Sequence, residues 1–306
     1  MNATPQKRCC MVGVVGRTNA GKSTLVNRFV GEKISIVSPV VQTTRHTIRG
    51  IYTDARGQIV LVDTPGLHRA EGRLGTLLNR MARHAAANVE SLLVVFDGAL
   101  PPHIEDDGWL RRALFAPQPV LFALNKADDP SFGAARFHDL WERVQTEKGQ
   151  RRDVAWFPVS AATGDGLSAL MDALFALATP STALLFDADT VTDHPRRLAI
   201  ADVVREKLFT RLHEEMPHEI GVLVDDIREA DGAWNITVTI LVNRGSQKGI
   251  VIGPKGRLLR AVKRAAEPEI GAMFDVKAGI ELWVKVEPNW SRNIWRLRQM
   301  GYMGEI

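Results

Sequence analysis

An apolar run from Cys9 to Val15 opens directly onto Gly16-Arg17-Thr18-Asn19-Ala20-Gly21-Lys22-Ser23, which fits the spacing G-x-x-x-x-G-K-S. Each part of that pattern has a physical task in holding a nucleoside triphosphate. Glycines let backbone N–H groups close around phosphate oxygens, the Lys22 ammonium reaches the outer phosphates, and the Ser23 hydroxyl can ligate Mg²⁺. A helix opening at Lys22 and running on through Thr24 adds the positive end of its dipole. Strand, phosphate loop and helix in that order predict an α/β fold.

At 306 residues, two domains are expected, because single hydrophobic cores stop growing at about this length. Hydrophobic residues make up 45% and charged residues 24%, as in soluble globular proteins, and no apolar run reaches the roughly 18 residues that span a bilayer. Met1 to Lys7 is polar and contains a proline, without the apolar core of a signal peptide, so a cytoplasmic location is expected. Cys9 and Cys10 are adjacent in a strand and point to opposite faces, which excludes a disulfide framework and leaves them as small packing residues.

Beyond the first helix, Ile48 to Asp54 and Gln58 to Val62 read as strands around Ala55-Arg56-Gly57, and the second delivers Asp63-Thr64-Pro65-Gly66. An apolar strand ending in Asp is where a phosphate-loop protein places its second metal-side carboxylate, and the Gly66 N–H can meet the terminal phosphate. Apolar runs Ser91 to Phe96 and Val120 to Leu124 alternate with helix-compatible segments, which predicts a mixed, mostly parallel sheet. The second run ends in Asn125-Lys126-Ala127-Asp128. An Asp carboxylate accepts from guanine N1–H and the exocyclic amine, a donor pair adenine lacks, so Asp128 selects GTP. Asn125 braces the pocket, the Lys126 stem covers the purine, and in Ser160-Ala161-Ala162 the Ala161 N–H is placed to donate to guanine O6.

Four ordered motifs resemble the translation-factor-related GTPases, and Gln42-Thr43-Thr44-Arg45-His46 resembles the first switch of the Era family. The resemblance implies that Thr44, with Thr43 a close alternative, joins Ser23 and Asp63 around Mg²⁺, and that Lys22, Thr44 and Asn19 serve catalysis. Leu67 stands where Ras-like proteins carry the water-orienting Gln. Related GTPases with Asn at the position of Asn19 bind K⁺ there, so K⁺-stimulated hydrolysis is expected.

Thr179-Pro180-Ser181-Thr182 closes the first domain's last helix, giving a nucleotide domain over residues 1–180, an extended connector over 181–196 and a second domain over 197–306. The second reads helix, strand, strand, helix, Gly-x-x-Gly, helix, strand, the order of an α+β, prokaryotic-type (type II) KH domain. Basic and acidic residues balance from Ser181 onward, yet Asn243 to Arg264 contains no acidic residue. That segregation is a local polyanion footprint. Gly253-Pro254-Lys255-Gly256 admits a sugar-phosphate backbone, Arg257, Arg260 and Lys263 supply charge, and Ile250, Val251 and Ile252 are expected under the bases. Trp283, Trp290 and Trp295 are expected to pack in the core or under the C-terminal helix.

The Era resemblance covers nearly the whole chain. It implies a monomeric GTPase that cycles between GTP and GDP, binds 16S rRNA near its 3′ end, acts in small-subunit assembly, and associates peripherally with the inner membrane. Two other readings are a constitutive RNA-binding protein with a structural nucleotide domain and a GTPase of tRNA modification. Intact Lys22, Ser23 and Asp63 oppose the first, and the Gly-x-x-Gly unit opposes the second.

Overall fold

The computed structural model describes residues 6–37, 45–65, 72–212 and 216–302. They divide into two units, the first built around 6–35, 47–65 and 78–193, the second around 194–302 together with the described parts of 36–46 and 71–77.

The first unit follows the strand and helix alternation of its sequence. In chain order it runs β1 (Lys7–Val15), α1 (Lys22–Val30), β2 (Ile48–Asp54), β3 (Gly57–Asp63), α2 (Gly72–Ala87), β4 (Ser91–Asp97), α3 (Ile104–Phe115), β5 (Val120–Asn125), α4 (Ala135–Lys148), β6 (Ala155–Pro158), α5 (Leu167–Leu177) and β7 (Thr179–Ser181). The sheet order is β2-β3-β1-β4-β5-β6, with β7 paired to β1. Pairs among β3, β1, β4, β5 and β6 are parallel; β2 and β7 run antiparallel to their neighbours.

Strands buried on both faces explain the continuous apolar runs. Cys10, Val12 and Val14 of β1 meet Leu25, Val26 and Phe29 of α1 and Leu170 and Leu174 of α5. Val15 and the opposite side of β4 and β5 meet Trp109 and Leu110 of α3 and Phe137 and Trp141 of α4. Both cysteines are buried and unbridged, as expected. β3, β5 and β6 therefore end on the same edge of the sheet as β1, where ligands bind in α/β sheets.

Two local features depart from the sequence reading. Thr179 to Ser181 does not merely close the last helix; it adds a short strand along Lys7 to Cys9. The expected extended connector is irregular and strapped to the first unit: Phe186 exchanges both backbone hydrogen bonds with the buried Gln58 side chain, the Ile51 N–H donates to the Val191 carbonyl at 2.9 Å, and Arg49 pairs with Asp193. Gln58 is a strand residue whose side chain takes over the backbone pairing that the connector lacks.

The second unit contains α6 (Arg196–Phe209), β8 (Gly221–Ala230), β9 (Ala233–Val242), α7 (Gly245–Ile252), α8 (Arg257–Phe274), β10 (Lys277–Val286) and α9 (Ile294–Gln299). β9 lies between β10, parallel to it, and β8, antiparallel to it. Asp231 and Gly232, both with positive φ, make the tight hairpin turn. Val203, Val204 and Leu208 of α6 and Val262, Ala266 and Ile270 of α8 cover one face of this sheet. No helix among the described residues is long and apolar enough to cross a membrane.

Candidate active site and nucleic-acid interface

The loop from Gly16 to Ser23 joins β1 to α1. Its Lys22 is buried, and Nζ donates to the carbonyls of Gly16 at 3.2 Å and Arg17 at 2.7 Å. Burial pushes this ammonium down to about 8, against the upward pull of Asp63. A buried cation made costly in this way gains from an anionic ligand. Gly21 sits at φ +93°, and a Cβ there would lie 2.1 Å from Asn125 Nδ2, so only glycine fits. Arg17 is buried, with Nη2 at 3.6 Å from Asp97 and Nε at 3.6 Å from Asp106. Thr18 is half-buried, Asn19 exposed at φ +62°, and Ala20 buried; Thr24 is half-buried on the first turn of α1.

Asp63 ends β3 and is fully buried. Ser23 Oγ donates to its Oδ2 at 2.7 Å, while Oδ1, equally buried, has no hydrogen-bond partner. Burial raises this carboxyl's pKa, with Ser23 and Lys22 pulling it down. A spare buried carboxylate oxygen beside a serine hydroxyl is an all-oxygen donor set that fits Mg²⁺, which keeps several of its waters. Thr64 Oγ1 donates to the Val14 carbonyl at 3.0 Å, and Pro65 is buried next to it. Gln42, Thr43, Thr44, Gly66 and Leu67, named in the sequence analysis, lie outside the described residues.

At the other end of the site, Asn125 binds two loops at once. Its Nδ2 donates to the Ala20 carbonyl and its Oδ1 accepts from the Ala161 N–H, both at 2.9 Å. These two bonds tie the phosphate loop to the Ser160-Ala161-Ala162 loop. The Ala161 amide expected at guanine O6 already has an acceptor, so O6 would have to share or displace it. Lys126 adopts φ +66°, and its Nζ pairs with Asp97 at 2.6 Å. Asp128 is exposed on the following loop, Ser160 is buried with its hydroxyl accepting from the Thr163 N–H at 3.0 Å, and Ala162 is exposed. Asp97 was not singled out from sequence, although its place at the end of an apolar strand was the available signal; it is buried between Arg17 and Lys126.

In the second unit, α7 ends at Gly253, with φ +70°, and Pro254 to Gly256 form one tight turn in which Lys255 and Gly256 are both left-handed. A Cβ on Gly253 would sit 2.9 Å from Leu258 Cβ. Pro254, Lys255, Arg257, Arg260 and Lys263 are exposed, and Lys263 lies 3.6 Å from Glu267 one turn on. Ile250 is 50% exposed, but Val251 is fully buried in the core. The apolar floor expected from Ile250, Val251 and Ile252 therefore reduces to Ile250 and the half-buried Ile252, since successive helix positions cannot share one face. Of the three tryptophans expected to pack inside, only Trp290 does; Trp283 is 57% and Trp295 64% exposed.

A phosphate loop at the ends of parallel strands and a separate Gly-x-x-Gly unit define a phosphate-loop GTPase carrying a C-terminal KH module. Residues 11–126 match the family of 50S ribosome-binding GTPases and residues 215–291 match the KH domain. GTPase Era of Geobacter sp. strain M21 is 39% identical over 297 residues, covering 96% of this chain and 98% of that protein. GTPase Era of Crocosphaera subtropica is 35% identical, covering 96% and 92%. Among solved structures, Era in complex with MgGDPNP and nucleotides 1506–1542 of 16S ribosomal RNA superposes with a TM-score of 0.87 at 30% identity, over 97% of this chain and 99% of that one. An Aquifex aeolicus Era variant bound to GDP·AlF₄⁻ gives the same score and identity over 96% and 99%. The chain belongs to the Era family of GTPases.

Proposed function

We propose that this GTPase binds the 3′ region of 16S rRNA through its KH module and acts in assembly of the small ribosomal subunit, its nucleotide state setting its hold on the RNA. The observation that carries the reading is the Gly253-Pro254-Lys255-Gly256 turn with left-handed Lys255 and Gly256, exposed Arg257 and Arg260 opening α8, and no acidic residue from Asn243 to Arg264. Such a turn lets a phosphate backbone approach the main chain while the cations neutralise it. The bound Era relative supports the choice of RNA.

In the nucleotide pocket, Gly16 to Thr24 would surround the phosphates, with Lys22 on the outer two. Asn125, Lys126, Asp128 and Ser160 to Ala162 would hold the guanine, and Ser23, Asp63 and Thr44 or Thr43 would hold Mg²⁺. When bound, Mg²⁺ neutralises charge building up on the phosphates. Lys22 adds fixed positive charge that is already desolvated, so it costs no reorganisation at the moment of reaction. Asp63 orients the Ser23 hydroxyl through the 2.7 Å bond. Thr43, Thr44 and Asp63 to Gly66 would order with GTP and relax on hydrolysis. Asn19 supports hydrolysis through a K⁺ ion, so turnover runs faster in K⁺ than in Na⁺. The location would be cytoplasmic, with peripheral contact to the inner membrane, and the protein a monomer.

The test is fluorescence anisotropy of an RNA spanning the 3′ end of 16S rRNA, titrated with the full chain loaded with GDP or a non-hydrolysable GTP analogue. Tight binding of this RNA over a scrambled one, with a nucleotide-dependent affinity, is expected. Equal affinity for both RNAs overturns the substrate, and equal affinity in both nucleotide states overturns the coupling.

A further inference from the structure

His46, which closes the Gln42-Thr43-Thr44-Arg45-His46 segment, meets Asp202 and His194 inside the second unit. One donor atom from each lies within 4.8 Å of the other two. All three side chains are buried, at 3–4% exposure. His46 Nδ1 is 3.2 Å from both oxygens of Asp202, and His194 Nε2 is 3.4 Å from Asp202 Oδ2.

Proton accounting shows what this cluster requires. His46 Nε2 lies 2.6 Å from the Met300 carbonyl. A carbonyl only accepts, so Nε2 carries the hydrogen, and in the neutral ring Nδ1 presents its lone pair to Asp202. Asp202 is ion-paired with Arg205, so its oxygens too present only lone pairs. Arg205 Nη1 engages Oδ1 at 2.7 Å, and Oδ2 faces both imidazoles. A His46 lone pair set against a carboxylate calls for a cation between them, a proton on Nδ1 or a metal ion, and His194 Nε2 faces the same carboxylate oxygen.

The two histidine-to-carboxylate spacings fit a metal of tetrahedral preference, and the two ring nitrogens lie within 4.8 Å of each other. Ligands at about 2.0–2.1 Å from a tetrahedral ion stand about 3.3 Å apart, and the histidine-to-carboxylate separations here are 3.2 and 3.4 Å. N–H···O hydrogen bonds centre nearer 2.9–3.0 Å. The surroundings also match a metal site. His46 is oriented by the hydrogen bond from its far nitrogen to a backbone carbonyl, its ring stacks on Tyr302 at 5.0 Å, and the carboxylate is steadied by Arg205. These are the outer contacts that fix ligands around zinc.

We propose that His46, His194 and Asp202 bind one divalent transition-metal ion of the Zn²⁺ class, linking the segment that contains Arg45 and His46 to helix α6. Two nitrogens and one oxygen suit Zn²⁺ over Mg²⁺ or Ca²⁺, which prefer oxygen donors. The ion's binding does not depend on the proposed switch role of Thr43 and Thr44, so the metal can be measured whether or not that role holds.

The full chain is stripped with a chelator, supplied with Mg²⁺ and GDP to fill the phosphate-loop site, and titrated with Zn²⁺ against a chromophoric competitor. One ion per chain with a submicromolar Kd is expected. His194→Ala should weaken binding at least tenfold, and His194→Cys should restore it, because a thiolate can ligate zinc but cannot supply an imidazole hydrogen bond. Substoichiometric binding by the wild type overturns the proposal, as does an affinity unchanged in His194→Ala. Should His194→Ala fail to fold, the Co²⁺-loaded wild type decides: intense visible bands of a tetrahedral ion support the site, and weak octahedral bands overturn it.

Discussion

Asn125 holds the phosphate loop by its Ala20 carbonyl at 2.9 Å, so the guanine end and the phosphate end of the pocket form one hydrogen-bonded body. The same side chain takes the Ala161 N–H. Asn125→Ala leaves both backbone groups buried and unpartnered, each at about 1–3 kcal/mol. The expected result is a first unit destabilised by about 2 kcal/mol or more, and GDP affinity lowered at least tenfold because both ends of the pocket lose alignment. Thermal unfolding and nucleotide titration check the two effects.

Asp128 is exposed on the loop after β5, where a substitution can change ligand preference without disturbing the core. In Asp128→Asn the carboxylate acceptors become one acceptor and one donor. Guanine loses its match at the exocyclic amine, while xanthine, with a carbonyl there, gains one. A bond to a charged group is worth about 1.5–3 kcal/mol, so preference for GTP over XTP should fall by a hundredfold or more and can reverse. Hydrolysis assayed with each nucleotide in competition measures the switch.

Lys22 pits stability against function. Its folded pKa of about 8 lies below the ordinary 10.5 because burial opposes the charge. Between those two values the unfolded chain holds the proton and the folded chain does not, so folding stability rises with pH through that window and carries the full penalty below it. Lys22→Met removes the penalty, up to about 3 kcal/mol. The ligand-free variant should melt no lower than the wild type at pH 7, and the difference should narrow as pH rises past 8, while GTP hydrolysis is lost. A lower melting temperature at pH 7 would show that the bonds to Gly16 and Arg17 outweigh the burial.

The candidate nucleotide pocket was legible in the sequence because its groups are set by short spacings: Gly16 to Ser23 follow one strand end and Asn125 to Asp128 another, and the strands announce themselves as apolar runs. What escaped depends on contacts across long sequence separations. Asp97 is one residue at the end of β4, and only the fold brings Arg17 and Lys126 to it. The His46, Asp202 and His194 cluster joins two stretches, His46 lying 156 positions before Asp202, that no local pattern connects. The tryptophans show the same limit. Trp283 falls on the outward positions of β10 and Trp290 seats its Nε1–H on the Glu219 carbonyl at 3.0 Å, a difference that the residue type alone does not carry.

Lys255 occupies a left-handed conformation at φ +50° in the middle of the Gly-x-x-Gly turn. Asp tolerates that region better than most residues, so Lys255→Asp changes charge by two units with little backbone cost. Replacing a phosphate-neutralising cation weakens binding by an amount that salt reduces, so RNA affinity should drop at least tenfold at low salt and less at high salt. The slope of log affinity against log salt should flatten by about one. Basal GTP hydrolysis should not change, because the turn lies in the second unit. Anisotropy titrations across a salt series, paired with phosphate release in the absence of RNA, separate these outcomes; an unaltered salt slope would remove Lys255 from the RNA interface.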